Sequence, residues 1–197
     1  MATAQTEILA KPKVHRWTRE EYYKLNDAGL FPDNHVELIE GKVIEMSPIY
    51  EPHASSVSMV DDALREAFGK GWAIRIQNPI SIGEDSDPQP DVVVVPGKNR
   101  DYKEKHPTTA SLLIEVADSS LKYDQEHKGS LYARAGIADY WIVNISKRQV
   151  EVYRRPIPDI DAEFGFSYGD KFIFQEGEAV SPLAKPDVVI EVTELLP

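Results

Sequence analysis

The stretch SLLIEVADSS, residues 111–120, places a carboxylate inside an apolar strand. The run from Leu112 to Val116 is otherwise continuously apolar, which is typical of a strand buried on both faces of a sheet. Glu115 is the exception within it. A buried ionised carboxylate is costly unless it is paired, hydrogen-bonded or bound to a metal ion. Glu115 is therefore the first candidate functional residue.

A second apolar strand carries an acid at its first residue. The sequence DVVVVPG, residues 91–97, begins with Asp91, and the chain between Asp91 and Glu115 is long enough to bring the two strands side by side. Neighbouring strands lie about 4.8 Å apart, so two carboxylates on one face could share a divalent cation. Mg²⁺ binds oxygen at about 2.1 Å and keeps several waters, so two carboxylates are enough protein for it. The backbone carbonyl of Val116 could add a ligand.

Two more charged residues could join this pair. HVELIEGKVIEM, residues 35–46, predicts a β-hairpin with its turn at Gly41, and Glu37 in its first strand could supply a third carboxylate. Lys128 lies on the helix predicted after the Glu115 strand and could direct its ammonium to the same place. Taken alone, Glu37 fits a surface position and Lys128 fits a solvated helix charge. Their order along the chain, with acids set in apolar segments, is more specific than any one of them.

The order of hairpin, helix, apolar strands, helix and further strands predicts a mixed α/β fold. Three details can be tested directly. We expect two short strands in residues 72–83, a Pro- and acid-rich loop over residues 156–169, and a closing strand in PDVVIEV, residues 186–192. Asp187 and Glu191 in that closing strand would stand about 13 Å apart, too far to bind one ion easily, so we interpret them as incidental.

Composition and charge narrow the function further. The 197 residues suit one domain, and we expect it over residues 15–197 after a loose arm over residues 1–14. The absence of cysteine excludes disulfides and a thiol nucleophile. With no apolar run long enough for a bilayer and no signal-peptide pattern, we expect a cytoplasmic protein with no membrane partner. The net charge of −11 argues against a large basic surface for nucleic acid, although a local groove or a cation bound to acids could still attract phosphate.

Several segments together resemble a known family. In chain order they are VELIEGKVIEMSP, the helix that carries His53, PQPDVVVV, LLIEVADSS, DQEHKGSLYARAGIADYWIVN and VEVYR. Over roughly residues 15–195 they are similar to the Uma-type endonucleases, which have the PD-(D/E)XK, restriction-endonuclease-like fold. The resemblance implies a mixed β-sheet flanked by helices, with additional β-hairpins. It also implies a Mg²⁺-dependent (or Mn²⁺-dependent) endonuclease that hydrolyses phosphodiester bonds in DNA.

The same resemblance assigns residues to the site. The PD of the motif falls on residues 90–91, and its second acid falls on Glu115. Ala117 stands where the general pattern has a lysine, so the resemblance offers Lys128, from the following helix, as the replacement. Glu37 matches the acid on the first core element of these nucleases.

Further polar residues could support the chemistry. His53, near a helix start, could contact phosphate or assist proton transfer, although an ordinary helix-start histidine is the commoner case. Gln77 and Gln89 flank the acids and could donate hydrogen bonds to them. Tyr132 lies four residues after Lys128 on the same helix face, and we interpret it as a packing residue.

Three functions remain open at this point, because a fold alone does not choose between them. The first is a metal-dependent DNA endonuclease. The second is a binding module that keeps the nuclease fold without catalysis, which the overall acidity and Ala117 favour. The third is a hydrolase of a smaller phosphate ester. For a nuclease we expect a homodimer, because many nucleases pair two sites to cut two strands.

Overall fold

The computed structural model describes residues 13–31 and 35–197 of the chain. The arm expected over residues 1–14 therefore lies almost entirely outside the described residues. The elements, in chain order, are α1 (Arg19–Asp27), β1 (Val36–Ile39), β2 (Lys42–Glu45), α2 (Glu51–Phe68), β3 (Trp72–Ile76), β4 (Val92–Pro96), a 3₁₀ turn (Asn99–Tyr102), β5 (Leu112–Ala117), α3 (Leu121–Tyr123), a π-helical turn (Asp124–Lys128), α4 (Gly129–Arg134), β6 (Asp139–Asn144), β7 (Gln149–Pro158), β8 (Phe166–Gln175), β9 (Ala179–Val180), β10 (Ile190–Glu191) and a 3₁₀ turn (Val192–Leu195).

The hairpin of β1 and β2 forms where the sequence predicts it, and it is attached to the main sheet. Glu40 and Gly41 have φ angles of 50° and 67°, and a two-residue turn that matches the strand twist needs two such positive values. A Cβ at position 41 would lie 2.5 Å from the Cβ of Arg16, so the glycine also allows a close approach of the chain. The Asp87 amide donates to the Leu38 carbonyl at 2.7 Å, which ties the hairpin to the segment before β4.

Six strands form one mixed sheet in the order β3-β4-β5-β6-β7-β8. β5 and β6 are parallel, and every other neighbouring pair is antiparallel. β4 and β5 are neighbours, as the sequence predicts, and Val92 pairs with Ile114. One step further in this register, Asp91 comes opposite Glu115. Because side chains alternate between the faces of a strand, the two carboxylates emerge on the same face.

Helices cover both faces of the sheet, which explains the continuously apolar strands. On one face, α2 packs an apolar stripe against the even-numbered residues of β4 and β5; this stripe consists of Val57, Val60, Leu64 and Phe68. On the other face, Leu131 and Tyr132 of α4 join a core with the odd-numbered apolar residues of the same strands. The predicted mixed α/β fold is thus confirmed. Within the described residues, no helix has both the length and the apolar composition needed to cross a bilayer.

The prediction of a second strand within residues 72–83 is wrong. In place of the expected strand, this part of the chain makes an isolated bridge between Ile82 and Ser86. Pro79 and Pro88 have no amide hydrogen for a ladder, so this segment cannot pair continuously. It forms instead the irregular chain that carries Gln77 and Gln89 toward the site.

Two other local predictions are wrong in part. Residues 156–169 are not one loop, because β7 continues to Pro158 and β8 begins at Phe166. The pairing of β7 with β6 stops at Arg154, so the prolines beyond it lie on a free edge where no amide donor is needed. The closing strand in residues 186–192 is reduced to the two residues of β10, followed by a 3₁₀ turn.

Candidate active site

Asp91 and Glu115 form the centre of the candidate site. The Asp91 amide donates to Oε2 of Glu115 at 3.4 Å, and Oδ2 of Asp91 accepts the Val116 amide at 2.8 Å. The exposed fractions of Asp91 and Glu115 are 8% and 3%. The register of β4 and β5 therefore holds two buried acids side by side, which is the arrangement that the apolar strands predict.

Lys128 lies among the acids. Its Nζ is 3.1 Å from Oε1 of Glu115 and 3.9 Å from Oε2 of Glu37. The hydroxyl of Tyr132 donates to the same Oε1 of Glu115 at 2.7 Å. The lysine thus reaches the acids from the following helix. Tyr132, interpreted from the sequence as a packing residue only, also holds the central carboxylate.

A π-helical turn directs Lys128 toward the site. The Gly129 amide donates to the Asp124 carbonyl five residues earlier, and the Tyr140 hydroxyl donates to that same carbonyl at 2.9 Å. A Cβ at position 129 would lie 3.3 Å from this carbonyl oxygen, so a glycine suits the turn. Asp124 and Lys128 are both buried. Such turns within α-helices are frequently found at functional sites, and this one brings a lysine and a carboxylate to the same place.

Glu37 approaches Lys128 from the first hairpin. It is fully buried, and its Oε2 accepts the Gln89 amide at 3.1 Å. The Gln89 side chain donates to the Val36 carbonyl at 3.0 Å, so Gln89 supports the acid through its backbone. Oε1 of Glu37 is buried without a hydrogen-bond partner among the described residues. Because such an oxygen is costly, it marks a place for a water or another donor.

His53 and Gln77 both contact Asp91. His53 Nε2 is 3.2 Å from Oδ2 of Asp91, and Gln77 Nε2 donates to Oδ1 of Asp91 at 3.3 Å. The hydrogen bond to Asp91 raises the pKa of His53 above its ordinary value. The other ring nitrogen of His53 is buried without a partner in the described part of the chain. The start of α2 therefore brings its histidine to the site, as the sequence suggests.

The electrostatics of the site are set by four buried carboxylates around one buried lysine; the carboxylates are Glu37, Asp91, Glu115 and Asp124. Burial raises the pKa of Glu115 well above its ordinary value, against the effect of Lys128. Burial also raises the pKa of Asp124, to about 6. Burial would raise the pKa of Asp91 too, but its hydrogen bond with His53 lowers it. Burial disfavours protonated Lys128, yet the acids led by Glu115 raise its pKa well above the ordinary value. The excess of acid favours an additional cation.

A cavity of about 600 Å³ opens at these residues, a volume typical of ligand sites. Its lining includes Asp91, Glu115, Lys128, His53, Gln77 and Tyr123. Glu37 is not among the lining residues, so it acts on the cavity through its contact with Lys128.

The donor set fits a hydrated divalent cation. In residues 13–31 and 35–197, no three His, Asp or Glu side chains are placed to bind one metal ion by themselves. Two carboxylate oxygens have only long hydrogen bonds: Oδ1 of Asp91 with Gln77 at 3.3 Å, and Oε2 of Glu115 with the Asp91 amide at 3.4 Å. Two carboxylates plus waters suit Mg²⁺ or Mn²⁺. The ligand role of the Val116 carbonyl stays a prediction.

Sequence reasoning missed two residues at the site. Asp124, which is not among the residues that the sequence assigns to the site, is buried, and its carboxylate accepts the Ser120 hydroxyl at 2.5 Å. The four-residue spacing of Asp124, Lys128 and Tyr132 contained this signal, since it places all three on one helix face. Tyr123 lines the cavity, and nothing in its local sequence indicates that position.

The fold is shared with a known protein. Among solved structures, the chain is similar to one described as a putative nuclease belonging to DUF820 from Anabaena variabilis, with a TM-score of 0.67 and 17% identity. The match covers 90% of this chain and 96% of that chain. At this identity the likeness shows the fold. A comparison with curated proteins finds no match.

The sequence itself identifies the family. The family described as "Uma2: Putative restriction endonuclease" matches residues 19–193, which include the two strands and the helix that form the site. This match covers most of the chain, in agreement with the resemblance seen in its motifs. The chain therefore belongs to the Uma2 family, and through it to the nuclease class.

Proposed function

We propose that this protein is a Mg²⁺-dependent (or Mn²⁺-dependent) endonuclease that hydrolyses phosphodiester bonds in DNA. The observation that carries the proposal is the position of Lys128, whose Nζ lies 3.1 Å from Glu115 on the lining of the cavity. Phosphodiester hydrolysis needs cations where negative charge develops on the phosphate, together with an activated water. Paired carboxylates for a metal ion, with a lysine beside them, supply both.

Each residue has its own role in this proposal. Asp91 and Glu115 would hold the divalent cation, and its positive charge would polarise the phosphate and make a water easier to deprotonate. Lys128 stays protonated because the surrounding acids raise its pKa, so it serves the phosphate as a positive charge and does not act as a general base. Tyr132 orients Glu115 and Glu37 orients Lys128.

His53 has a position suited to the phosphate. Its Nε2 contacts Asp91, while its other nitrogen has no partner within the described residues. Gln77 bonds the opposite oxygen of Asp91 and keeps that carboxylate in one orientation. In this arrangement His53 steadies the metal-binding acid, and its pKa, raised by the bond to Asp91, favours a charge that attracts phosphate.

The test uses circular DNA, because only an endonuclease can cut a circle. Supercoiled plasmid and circular single-stranded DNA are incubated with the protein and Mg²⁺, Mn²⁺ or chelator. Cleavage is expected with the metal ions and not with chelator. Asp91→Asn and Glu115→Gln should each lose at least about a hundredfold in rate, as for other groups that stabilise transition-state charge. Glu66→Gln, which alters an exposed acid on α2, is the matched control.

Thermal unfolding with and without metal separates binding from catalysis. Mg²⁺ or Mn²⁺ should raise the melting temperature of the native protein by mass action, and both site variants should lose this rise. If the metal ions raise the melting temperature of both variants as much as that of the native protein, Asp91 and Glu115 are not the metal site. A metal-dependent rise without DNA cleavage would indicate the non-catalytic module. Hydrolysis of bis-p-nitrophenyl phosphate alone would indicate a hydrolase of smaller esters.

A further inference from the structure

The charged residues of the site are deeply recessed. Glu115 and Lys128 each have an exposed fraction of 3%, and Asp124 has 2%. A phosphate that meets Lys128 must therefore move into the cavity of about 600 Å³, and its neighbouring sugar and base must enter or lie against the walls. The volume is that of a typical small-ligand site rather than of a groove for a whole helix.

A continuous duplex fits such a recess poorly. Duplex DNA is stiff over about 150 base pairs, so a single phosphate cannot be drawn far from the stack without local distortion. Taking one nucleotide out of the stack costs a few kcal/mol, and the cost is least where the base is mismatched or already single-stranded. A recessed site thus discriminates in favour of nucleotides that are already unpaired.

The rim of the cavity offers a surface for a base. The segment Ser47–Tyr50, between β2 and α2, is exposed and lines the cavity. Ile49 and Tyr50 are 49% and 65% exposed. Tyr50 precedes α2, but its side chain makes no capping hydrogen bond. An exposed aromatic ring beside a nucleic-acid backbone site is the usual platform for stacking an unpaired base without sequence preference.

Two polar atoms inside the cavity also lack partners. The Tyr123 hydroxyl and one ring nitrogen of His53 are buried and make no hydrogen bond among the described residues, and both side chains line the cavity. Buried polar groups are normally satisfied, so these two atoms indicate a polar occupant or bound water. The polar atoms of a nucleotide would supply partners for both.

We propose that the cavity receives one unpaired nucleotide, with its phosphate at Lys128 and its base against Ile49 and Tyr50, so that the substrate is single-stranded or locally unpaired DNA. This inference rests on the proposed endonuclease function and specifies its substrate. The nucleotide is then bound at two places: Lys128 inside the cavity binds the phosphate, and Ile49 and Tyr50 at the rim contact the base.

The first experiment compares three oligonucleotides that share one sequence: a single strand, a duplex with a central unpaired bubble and a full duplex. kcat/KM for the single strand and the bubble should exceed that for the duplex at least about tenfold, given the unstacking cost. Equal or faster cleavage of the duplex would overturn the inference while leaving the proposed function intact.

A measurement of DNA binding tests the preference for unpaired DNA even if the protein cuts no strand. The Glu115→Gln variant is titrated with the labelled single strand and the labelled duplex, followed by fluorescence anisotropy. Tighter binding of the single strand, about tenfold or more, is expected from stacking. Equal affinity for the two forms would contradict the unpaired-nucleotide site. Failure of the native protein to cut any of the three substrates counts against the proposed function, and the titration still answers the question of substrate.

The rim is tested by substitution. Tyr50→Ala should raise KM for the single strand about tenfold, the loss expected for one stacked base, with kcat within about twofold. Tyr50→Phe should restore the native KM because it keeps the ring. Phe172→Ala, which truncates an exposed aromatic residue on β8 that does not line the cavity, is the matched control. An unchanged KM for Tyr50→Ala would contradict the placement of the base against Tyr50.

Discussion

At the scale of single residues, Lys128 is a positive charge held in a buried position. It is 3% exposed and lies within 4 Å of two carboxylates, Glu115 at 3.1 Å and Glu37 at 3.9 Å. Burial disfavours the charge of a lysine in such a position, but the acids led by Glu115 raise its pKa well above the ordinary value. The charge of Lys128 therefore depends on the acids around it, while burial still raises the pKa of Glu115 well above its ordinary value.

Removal of this charge should separate catalysis from metal binding. Lys128→Met keeps the apolar stem and removes the ammonium, so cleavage should fall at least about tenfold, the equivalent of ~1.4 kcal/mol of transition-state stabilisation. Metal binding, measured by calorimetric titration, should persist because the carboxylates are intact. Lys122→Met, at a lysine whose side chain is 83% exposed, should stay within about twofold of the native rate. Native cleavage by Lys128→Met would assign the lysine a structural role only. Rates are compared at a temperature at which circular dichroism shows all proteins folded, since a buried charge cluster loses stability when one partner is removed.

Glu151 on β7 is a buried acid outside the candidate site, and it serves the stability of the fold. Burial alone would raise its pKa, but hydrogen bonds from Lys171, Tyr153, Gln125 and Asn144 lower it to about 2. A carboxyl whose pKa is lowered on folding stabilises the fold above its ordinary pKa of 4.5. This contribution is lost as the pH falls from 4.5 toward 2.

The expected result is an acid-sensitive native protein and a less sensitive variant. Between about pH 4.5 and about pH 2.5, the urea midpoint of the native protein should fall more than that of Glu151→Gln. The variant has no carboxylate at this position that takes up a proton in this range. Glu66→Gln, at an exposed acid on α2, should follow the native curve. Parallel curves for the native protein and Glu151→Gln would show that the ion and hydrogen-bond cluster contributes nothing to acid stability.

At the scale of elements, the π-helical turn between α3 and α4 decides where the lysine points. Its Asp124 carbonyl accepts both the Gly129 amide and the Tyr140 hydroxyl, so the wide turn has a partner from the sheet. Without that partner a tighter α-helical turn would compete, and the residues after the turn would rotate relative to the acids. A tyrosine on β6 thus acts on the site through the backbone of the helix.

Tyr140→Phe should therefore lower the rate of DNA cleavage by more than its loss of unfolding free energy accounts for. The lost hydrogen bond costs about 1 kcal/mol of unfolding free energy, and cleavage should fall severalfold because Lys128 shifts. Tyr168→Phe is the matched control: its hydroxyl also bonds a backbone carbonyl, that of Ile137 at 2.8 Å, but it does not touch the π-helical turn. The measurements are the urea midpoint and kcat for both variants. An equal loss of kcat in the two variants would mean that the turn has no special role.

At the scale of the whole molecule, the net charge of −11 limits how DNA can be held. The long-range electrostatic interaction between this protein and a polyanion is weak or repulsive. Affinity for DNA must therefore come from the cavity and its cation. The recess contains one lysine and one histidine in contact with the acids, and few phosphates can be neutralised there.

The salt dependence of DNA binding should therefore be shallow. For Glu115→Gln and single-stranded DNA, the slope of log K against log salt should correspond to about three phosphates or fewer, at about −0.7 per phosphate. The measurement is an anisotropy titration over a range of monovalent salt in the presence of chelator, because Glu115→Gln is expected to bind no divalent cation, so that the slope reports the contacts made by side chains. A slope equivalent to about eight phosphate contacts would reveal a basic surface that the charge of the chain argues against.

Much of this fold is present in the local sequence. The turn at Gly41 and the apolar runs of β4 and β5 depend on neighbours within a few residues, and they form as the sequence predicts. Glu115 was found in the same way, because a carboxylate in an apolar run stands out without knowledge of the fold. Three local predictions failed, in residues 72–83, 156–169 and 186–192, because the length of a strand depends on the partner that the fold brings beside it as well as on its own residues.

Tertiary structure alone decided the geometry of the site. The register that sets Asp91 opposite Glu115, the π-helical turn that directs Lys128, and the closeness of Glu37 all join residues far apart in the chain. Local periodicity indicates which residues share a face, but it carries no information on which faces meet. For that reason the sequence determined the strands, the helices and the two central acids of this Uma2 family member. Only the packing of hairpin, sheet and helix surrounded one lysine with four carboxylates and left a cavity beside them.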